Sequence, residues 1–233
     1  MTSHPRHSGP ARRRIGRLFA AALAAASALA VPQSFAADDA PVRVGKTFIA
    51  ASLDPAKGSA GWALVSHGIA EQLFTVSREG TIEPNLAADA IPNEDGSWTV
   101  TLAKDRAFSD GTPVTADLVA EALNRSGAEG PAARASAGRI TFTPDGEYTL
   151  EVTSERPTPI LPSILAEWAF PVYRMDGDRF LFTGPFAVDA FVAGSHIDLV
   201  PNKEHPAAAG SLLPPVLVTR YYPSSLRAHW LPK

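Results

Sequence analysis

The sequence predicts a domain of mixed helices and strands, and three kinds of pattern lead to this α/β prediction. Runs rich in β-branched residues, such as 42–49 and 216–222, are typical of strands. Strong turn signals beside alternating runs, such as Asn93–Gly96, predict hairpins. One apolar stripe recurs at helical spacing, formed by Trp62, Val65, Ile69 and Leu73.

The first elements follow directly from these patterns. We predict a strand over 42–49 and a loop over 52–61, where Pro and Gly interrupt regular structure. The stripe predicts a helix over 62–74, with His67 on its polar side and therefore at the surface. Glu79-Gly80 is expected to form a turn.

The middle of the chain predicts hairpins around one helix. The strand at 98–102 alternates apolar and polar residues, and 108–113 has the residues of a turn. Thr115 is a good N-cap for a helix over 116–124. The Gly-, Ala- and Pro-rich segment 126–138 is expected to be a mobile loop.

The last third predicts further hairpins and one short helix. Pro159 is suited to open a helix that runs through Trp168. The expected strands are 140–142 with 148–152, 186–192 with 196–200, and a final strand over 216–222.

Composition excludes several classes of function. The chain of 233 residues is 45% hydrophobic and contains no cysteine, which excludes disulfides, thiolate zinc sites and cysteine nucleophiles. Its net charge is −3, but five of the 21 basic residues lie within residues 1–36, which contain no acid. The remainder holds 16 basic and 24 acidic residues, a net charge of −8. Such an acidic chain is not expected to bind nucleic acid.

Residues 1–36 have the pattern of a secretory signal peptide. Basic residues up to Arg17 precede an apolar run over 18–31, followed by small residues at Ser34 and Ala36. The run is 14 residues long, shorter than the ~20 needed to span a bilayer. Arg12–Ile15 partly resembles a twin-arginine signal, so both the general secretory and the twin-arginine route stay open. Either route predicts export to the periplasm or cell envelope.

No catalytic or metal-binding motif is present in the sequence. It has no HExxH, Walker A, GxGxxG or GxSxG pattern, so we expect neither an enzyme nor a cofactor or metal site. The aromatic residues Trp62, Trp168, Phe170 and Tyr173 lie near segment ends. They are interpreted either as core residues or as the lining of a ligand cleft.

Five motifs follow one another along the chain. They are Ser52-Leu53-Asp54-Pro55; Glu71–Phe74 with Gly80, Pro84, Leu86 and Ala87; Asp95–Leu102; Phe108–Asp117; and Thr183–Phe186 with Gly194, Leu199 and Asn202. In this order they resemble the motifs of the family 5 extracytoplasmic solute-binding proteins. These proteins serve ABC importers for oligopeptides, dipeptides and nickel.

The resemblance implies the α/β fold of a type II periplasmic-binding-protein clamp, whose two lobes close on a ligand by a hinge. It assigns residues 37–79 and 166–233 to the first lobe and 80–165 to a small subdomain, with an atypical tail at 224–233. The second lobe is expected to be absent, which suggests a truncated protein and weak ligand binding. The implied partners are a small-molecule or peptide ligand and a membrane permease, and the protein is expected to be a monomer.

The resemblance also implies a ligand site. In peptide-binding members, the segment after the S-L-D-P turn contacts the ligand, and here that segment is 57–62. Ser59, Gly61 and Trp62 are therefore the main ligand-binding candidates, and Trp168 and Tyr173 are further ones.

Two alternatives to a peptide-binding protein remain. Nickel-type members hold a metal chelate with an arginine near the end of the small subdomain. Here that stretch reads Trp168–Pro171, with Arg174 only nearby. The chain is interpreted either as a peptide- or nickel-chelate-binding protein or as a self-contained exported interaction domain.

Overall fold

The computed structural model describes residues 42–156, 158–210, 213 and 217–221. The predicted signal peptide at 1–36 and the atypical tail at 224–233 lie outside the described residues.

One mixed sheet is built from the two ends of the described chain. Its strand order is β1-β12-β11-β10. Strand β1 pairs in parallel with β12, and the other pairs are antiparallel. The strands are β1 (Val42–Lys46), β10 (Phe186–Val192), β11 (His196–Pro201) and β12 (Leu217–Tyr221). This sheet confirms the hairpin expected over 186–200 and the final strand, while the first strand is three residues shorter than predicted.

A second, antiparallel sheet occupies the middle of the chain, in the order β4-β5-β7-β6. It comprises β4 (Ala87–Pro92), β5 (Trp98–Leu102), β6 (Ile140–Pro144) and β7 (Thr149–Ser154). Two ribbons complete the strands: β2 (Phe74–Val76) with β3 (Ile82–Pro84), and β8 (Tyr173–Asp176) with β9 (Arg179–Phe182). The predicted turns at Gly80 and Gly96 are confirmed, each with a positive φ that glycine accepts readily.

The first helix is shorter than the apolar stripe predicted. Helix α1 spans Ala60–Ser66, and the chain then reverses at Gly68, whose φ is +70°. The Gly68 amide donates to the Val65 carbonyl and the Ile69 amide to the Leu64 carbonyl, a glycine-based helix end. The predicted helix over 62–74 is therefore wrong beyond residue 66. The prediction of a surface His67 is also wrong, because this residue is buried at the helix end.

The segment predicted as a mobile loop is mostly helical. Helix α2 spans Ala116–Glu129 and α3 spans Pro131–Ala137. Small residues fold as a helix here because α2 packs on β6, β7 and β8. Thr115 occupies the N-cap position without a side-chain capping bond, contrary to its predicted role. Helix α4 is also shorter than predicted and spans only Leu161–Ile164; a 3-10 helix follows later at Pro206–Gly210.

The described residues form two hydrophobic cores that share α2. The larger core lies between the middle sheet and the helices, with Leu102, Phe108 and Leu150 fully buried. The smaller core joins α1 to the mixed sheet. Helix α2 contributes Leu123 to the larger core and Ala122 to the smaller one. Its two faces therefore hold the cores together.

The Thr183–Phe186 motif forms a close crossing of two chain segments. The Gly184 amide donates to the Ile69 carbonyl at 3.0 Å, and the Asn202 side-chain amide donates to the Gly184 carbonyl at 2.8 Å. A Cβ on Gly184 would lie 2.5 Å from the Ile69 oxygen. Only glycine allows the backbones to approach this closely.

Candidate functional site

The segment after β1 folds through consecutive turns into α1. The Ser52 hydroxyl accepts from the Asp54 amide at 3.0 Å, and the Asp54 carboxylate accepts from the Ala56 amide at 3.1 Å. The Lys57 amide donates to the Asp54 carbonyl, and the Ala60 amide donates to the Lys57 carbonyl. These bonds join the Asp54 turn directly to the first turn of α1.

Two aromatic side chains are exposed where this segment enters α1. Trp62 is 44% exposed, and Phe48 is 36% exposed. Their ring centroids are 4.8 Å apart with an interplanar angle of 58°, a favourable tilted arrangement. Ser59, at the N-cap of α1, is also exposed, and its side chain makes no capping bond. Ser59 and Trp62 therefore present polar and aromatic surface from one short segment.

Gly61 brings α1 against the chain at Trp168. A Cβ on Gly61 would lie 2.8 Å from the Trp168 carbonyl oxygen and 3.3 Å from that of Pro55. Gly61 is buried, whereas Trp168 is half-buried against the larger core. The structure therefore places three of the predicted site residues, Gly61, Trp62 and Trp168, close together.

Tyr173 occupies a different environment from the other predicted site residues. It is 2% exposed, and its hydroxyl accepts a hydrogen bond from Arg125 at 2.9 Å. Burial raises the pKa of the Tyr173 phenol, so the ring stays neutral at physiological pH. Tyr173 lies in the smaller core, and its predicted contact with a ligand stays a prediction.

Arg125, which the sequence analysis did not single out, holds the turn before α1. Its guanidinium makes a bidentate pair with the Asp54 carboxylate, both N–O distances being 2.9 Å. The hydrogen bonds from Arg125 hold the pKa of the Asp54 carboxyl below its usual range. The predicted helix ended at Asn124, one residue too early to include Arg125. The spacing of Arg125 and Glu129, an i,i+4 pair, was the available signal that the helix continues.

A second, half-buried ion pair joins Glu71 to Arg106, close to His205. The Glu71 carboxylate accepts from Arg106 at 2.6 Å and lies 3.1 Å from the His205 Nε2. The Ala207 amide donates to the His205 Nδ1, which leaves Nε2 to carry the proton toward Glu71 when the ring is neutral. Burial opposes ionisation, but bonds from His205 and the charge of Arg106 lower the pKa of Glu71 below its usual range.

A cavity of about 550 Å³ opens beside Arg125. It is bounded by the turn residues Leu53 and Lys57 and by the aromatic side chains Phe180 and Phe191. Charges of both signs line it, so its electrostatics favour neither an anion nor a cation.

The described part of the chain offers no preformed metal site, since no three His, Asp or Glu side chains in it are grouped to share an ion. Within the same residues, no helix combines the length and hydropathy that a membrane span requires.

Comparison with known proteins identifies the fold. A nickel ABC transporter structure from Bacillus halodurans is 27% identical with a TM-score of 0.69, and the alignment covers 78% of this chain and 38% of that one. OppA of Listeria monocytogenes, bound to peptide, is 20% identical with a TM-score of 0.64, covering 78% and 42%. These similarities confirm the predicted α/β fold as that of part of a type II periplasmic binding protein.

Sequence comparison identifies the family. Residues 81–212 match the model of the bacterial extracellular solute-binding proteins, family 5, middle region. The probable D,D-dipeptide-binding periplasmic protein DdpA of Escherichia coli (strain K12) is 30% identical over 192 residues. That alignment covers 70% of this chain and 36% of DdpA. The chain belongs to family 5 of the bacterial extracellular solute-binding proteins, as the five motifs predicted, and spans about 40% of the length of these relatives.

Proposed function

We propose that this chain supplies the first lobe and small subdomain of the substrate-binding component of an ABC importer. The component takes up a peptide or a related small solute outside the cytoplasmic membrane and delivers it to a permease, as a monomer. Family membership supports the class of protein. The observation that carries the binding site is the exposed pair of Trp62 and Phe48 on the segment that follows the Asp54 turn. Exposed aromatic surface is suited to hold an apolar side chain or a peptide plane.

The proposed division of the chain follows its two four-stranded sheets. Residues 37–79 and 166–233 form the first lobe in this proposal, and 80–165 form the small subdomain. The mixed sheet, which uses only the ends of the described chain, and the separate middle sheet support this division. Export through a signal at 1–36 is supported by the word periplasmic in the names of two relatives, DdpA and MppA of Escherichia coli.

Peptides are favoured over nickel chelates as the ligand class. Relatives are named for both, since DdpA is called D,D-dipeptide-binding and the Bacillus halodurans protein a nickel transporter. In this chain the Arg174 guanidinium pairs with the Asp110 carboxylate and donates to the Thr112 hydroxyl. An arginine already bound to a carboxylate has fewer donors left for an anionic chelate.

Titration followed by NMR tests the proposed site. We expect L,L- and D,D-dipeptides to shift the backbone amide resonances of 57–62 and the Trp62 indole. Because the chain spans 38% of the Bacillus halodurans relative, the affinity is expected to be weak, with Kd about 1 mM. Trp62→Ala should abolish the shifts, while the control Trp98→Phe should keep them. Shifts confined to other residues, or none in wild-type protein at 10 mM dipeptide (about ten times that Kd), would contradict the proposal.

The same titration separates the alternatives. Nickel with histidine, used in place of dipeptide, should leave the 57–62 resonances unchanged. If nickel–histidine shifts these resonances and dipeptides do not, the proposal of a peptide ligand is wrong and a nickel chelate is the ligand class. A chain that binds neither ligand but unfolds cooperatively as a monomer would favour the self-contained interaction domain.

A further inference from the structure

The Arg125 guanidinium makes hydrogen bonds and ion pairs within the protein. One terminal nitrogen donates to Asp54 Oδ1 and to the Tyr173 hydroxyl, each at 2.9 Å. The other lies 2.9 Å from Asp54 Oδ2 and from the Glu129 carboxylate. Three of these contacts are hydrogen bonds, and the contact with Glu129 is an ion pair. Most of the terminal donors of Arg125 are therefore used within the protein, and we infer its role from what it holds.

What Arg125 holds is the turn that leads into the ligand segment. The Asp54 side chain is 7% exposed and also accepts from the Ala56 amide. The Asp54 carbonyl accepts from the Lys57 amide, and the Lys57 carbonyl accepts from the Ala60 amide. A displacement of the Asp54 carboxylate is therefore transmitted through two backbone bonds to α1 and to Trp62.

The base of Arg125 is itself rigid. Helix α2 places Leu123 in the larger core and Ala122 in the smaller one, so residues immediately before Arg125 are fixed on two sides. The guanidinium carbon also lies 5.9 Å from the centroid of the Tyr173 ring and 5.8 Å from that of Phe180. A planar, bidentate group that is anchored this way sets both the distance and the orientation of its carboxylate partner.

We propose that Arg125 is a positioning residue for ligand binding: through its bidentate pair with Asp54 it sets the position of Trp62 without contacting the ligand. This inference rests on the proposed ligand site at 57–62. Lysine keeps the charge of Arg125 but cannot form the fork, so Arg125→Lys separates positioning from charge.

Fluorine NMR of the 233-residue chain, labelled with 5-fluorotryptophan, tests this directly. The chain has four tryptophans, and Trp62→Phe assigns the Trp62 resonance. Arg125→Lys is expected to shift or broaden that resonance at temperatures well below unfolding. Trp98 lies in β5 of the middle sheet, and its indole donates to the Thr158 carbonyl at 3.0 Å. Its resonance should therefore not move. The control Arg139→Lys, in an exposed pair with Glu155, should change neither resonance.

A folded Arg125→Lys protein with an unchanged Trp62 resonance would overturn the inference. If this variant does not fold, Asp54→Asn removes the same ion pair from the other side and is judged by the same resonance. A role in overall stability alone would lower the unfolding temperature and leave the Trp62 resonance of the folded protein in place.

A dipeptide titration forms the second arm. Arg125→Lys is expected to weaken dipeptide binding about fivefold, because the site is less preorganised. Equal affinity in the variant and the wild type would overturn the inference. If wild-type protein binds no dipeptide, the proposed function fails, and the Trp62 resonance still decides whether Arg125 positions the segment.

Discussion

His67 should make the stability of this protein strongly dependent on pH. The residue follows the last turn of α1 and is 6% exposed. Neither of its ring nitrogens has a hydrogen-bond partner among the described residues. Burial lowers the pKa of His67 from its ordinary value of 6.5 to about 4. The charged imidazolium is therefore disfavoured in the folded protein.

The sign and size of the effect follow from linkage. The folded pKa lies below the unfolded one, so the unfolded chain binds more protons between pH 6.5 and 4. The contribution of His67 to stability is full above pH 6.5 and is lost progressively as the pH falls to about 4. The difference between the two pKa values corresponds to about 3 kcal/mol of unfolding free energy.

Urea unfolding between pH 7 and pH 4 measures this contribution. As the pH falls from 7 to 4, the free energy of unfolding should decrease in both proteins. We expect the decrease to be about 3 kcal/mol smaller in His67→Leu than in the wild type. The variant should also be the more stable protein at pH 5, because it buries no unpaired polar nitrogen. His196→Gln serves as control, since the His196 side chain is 26% exposed. This control variant should keep the pH dependence that His67 causes. Parallel stability curves for wild type and His67→Leu would refute the reasoning.

Three further substitutions test the packing and the ion pairing of the fold. Gly184→Ala should lower the free energy of unfolding by at least about 3 kcal/mol, because its Cβ would lie within 2.6 Å of two backbone carbonyl oxygens. Gly127→Ala in helix α2, whose Cβ would lie 3.8 Å from its nearest neighbour, the Ile140 carbonyl oxygen on β6, should instead stabilise by about 0.5–1 kcal/mol; equal urea midpoints for the two variants would contradict this account. Glu71→Gln should cost about 2–3 kcal/mol, since it leaves the half-buried Arg106 and His205 without their carboxylate partner. Thermal unfolding at neutral pH measures this loss, and an unchanged Tm would argue against a stabilising ion pair.

Hairpins and turns were the part of the fold that local sequence predicted best. The turn before β5 forms with Gly96 at φ +86°, and the turn between β6 and β7 forms with Gly146 at φ +102°. Both depend on residues that lie within a few positions of each other. Five motifs in order, one of which includes Gly96, identified the family, and the match over residues 81–212 confirmed it.

Helix ends and burial were predicted less well because they depend on distant contacts. The stripe through Ile69 and Leu73 is apolar at helical spacing, yet both side chains are buried after the chain has left α1 at Gly68. Helix α3 forms in a segment whose composition suggested a loop, and it packs against α2. Periodicity records which residues are apolar and does not reveal where the chain reverses.

The sequence by itself determined the class of fold and the family, and it singled out 57–62 as the candidate ligand segment. Only the tertiary structure decided what holds that segment. Asp54 and Arg125 are 71 residues apart, and neither has a neighbour in sequence that indicates the pairing. Their pairing arises because α2, which contributes to both cores, brings Arg125 to the turn that precedes α1. Such a contact is a property of packing, whereas turns and hairpins are properties of adjacent residues.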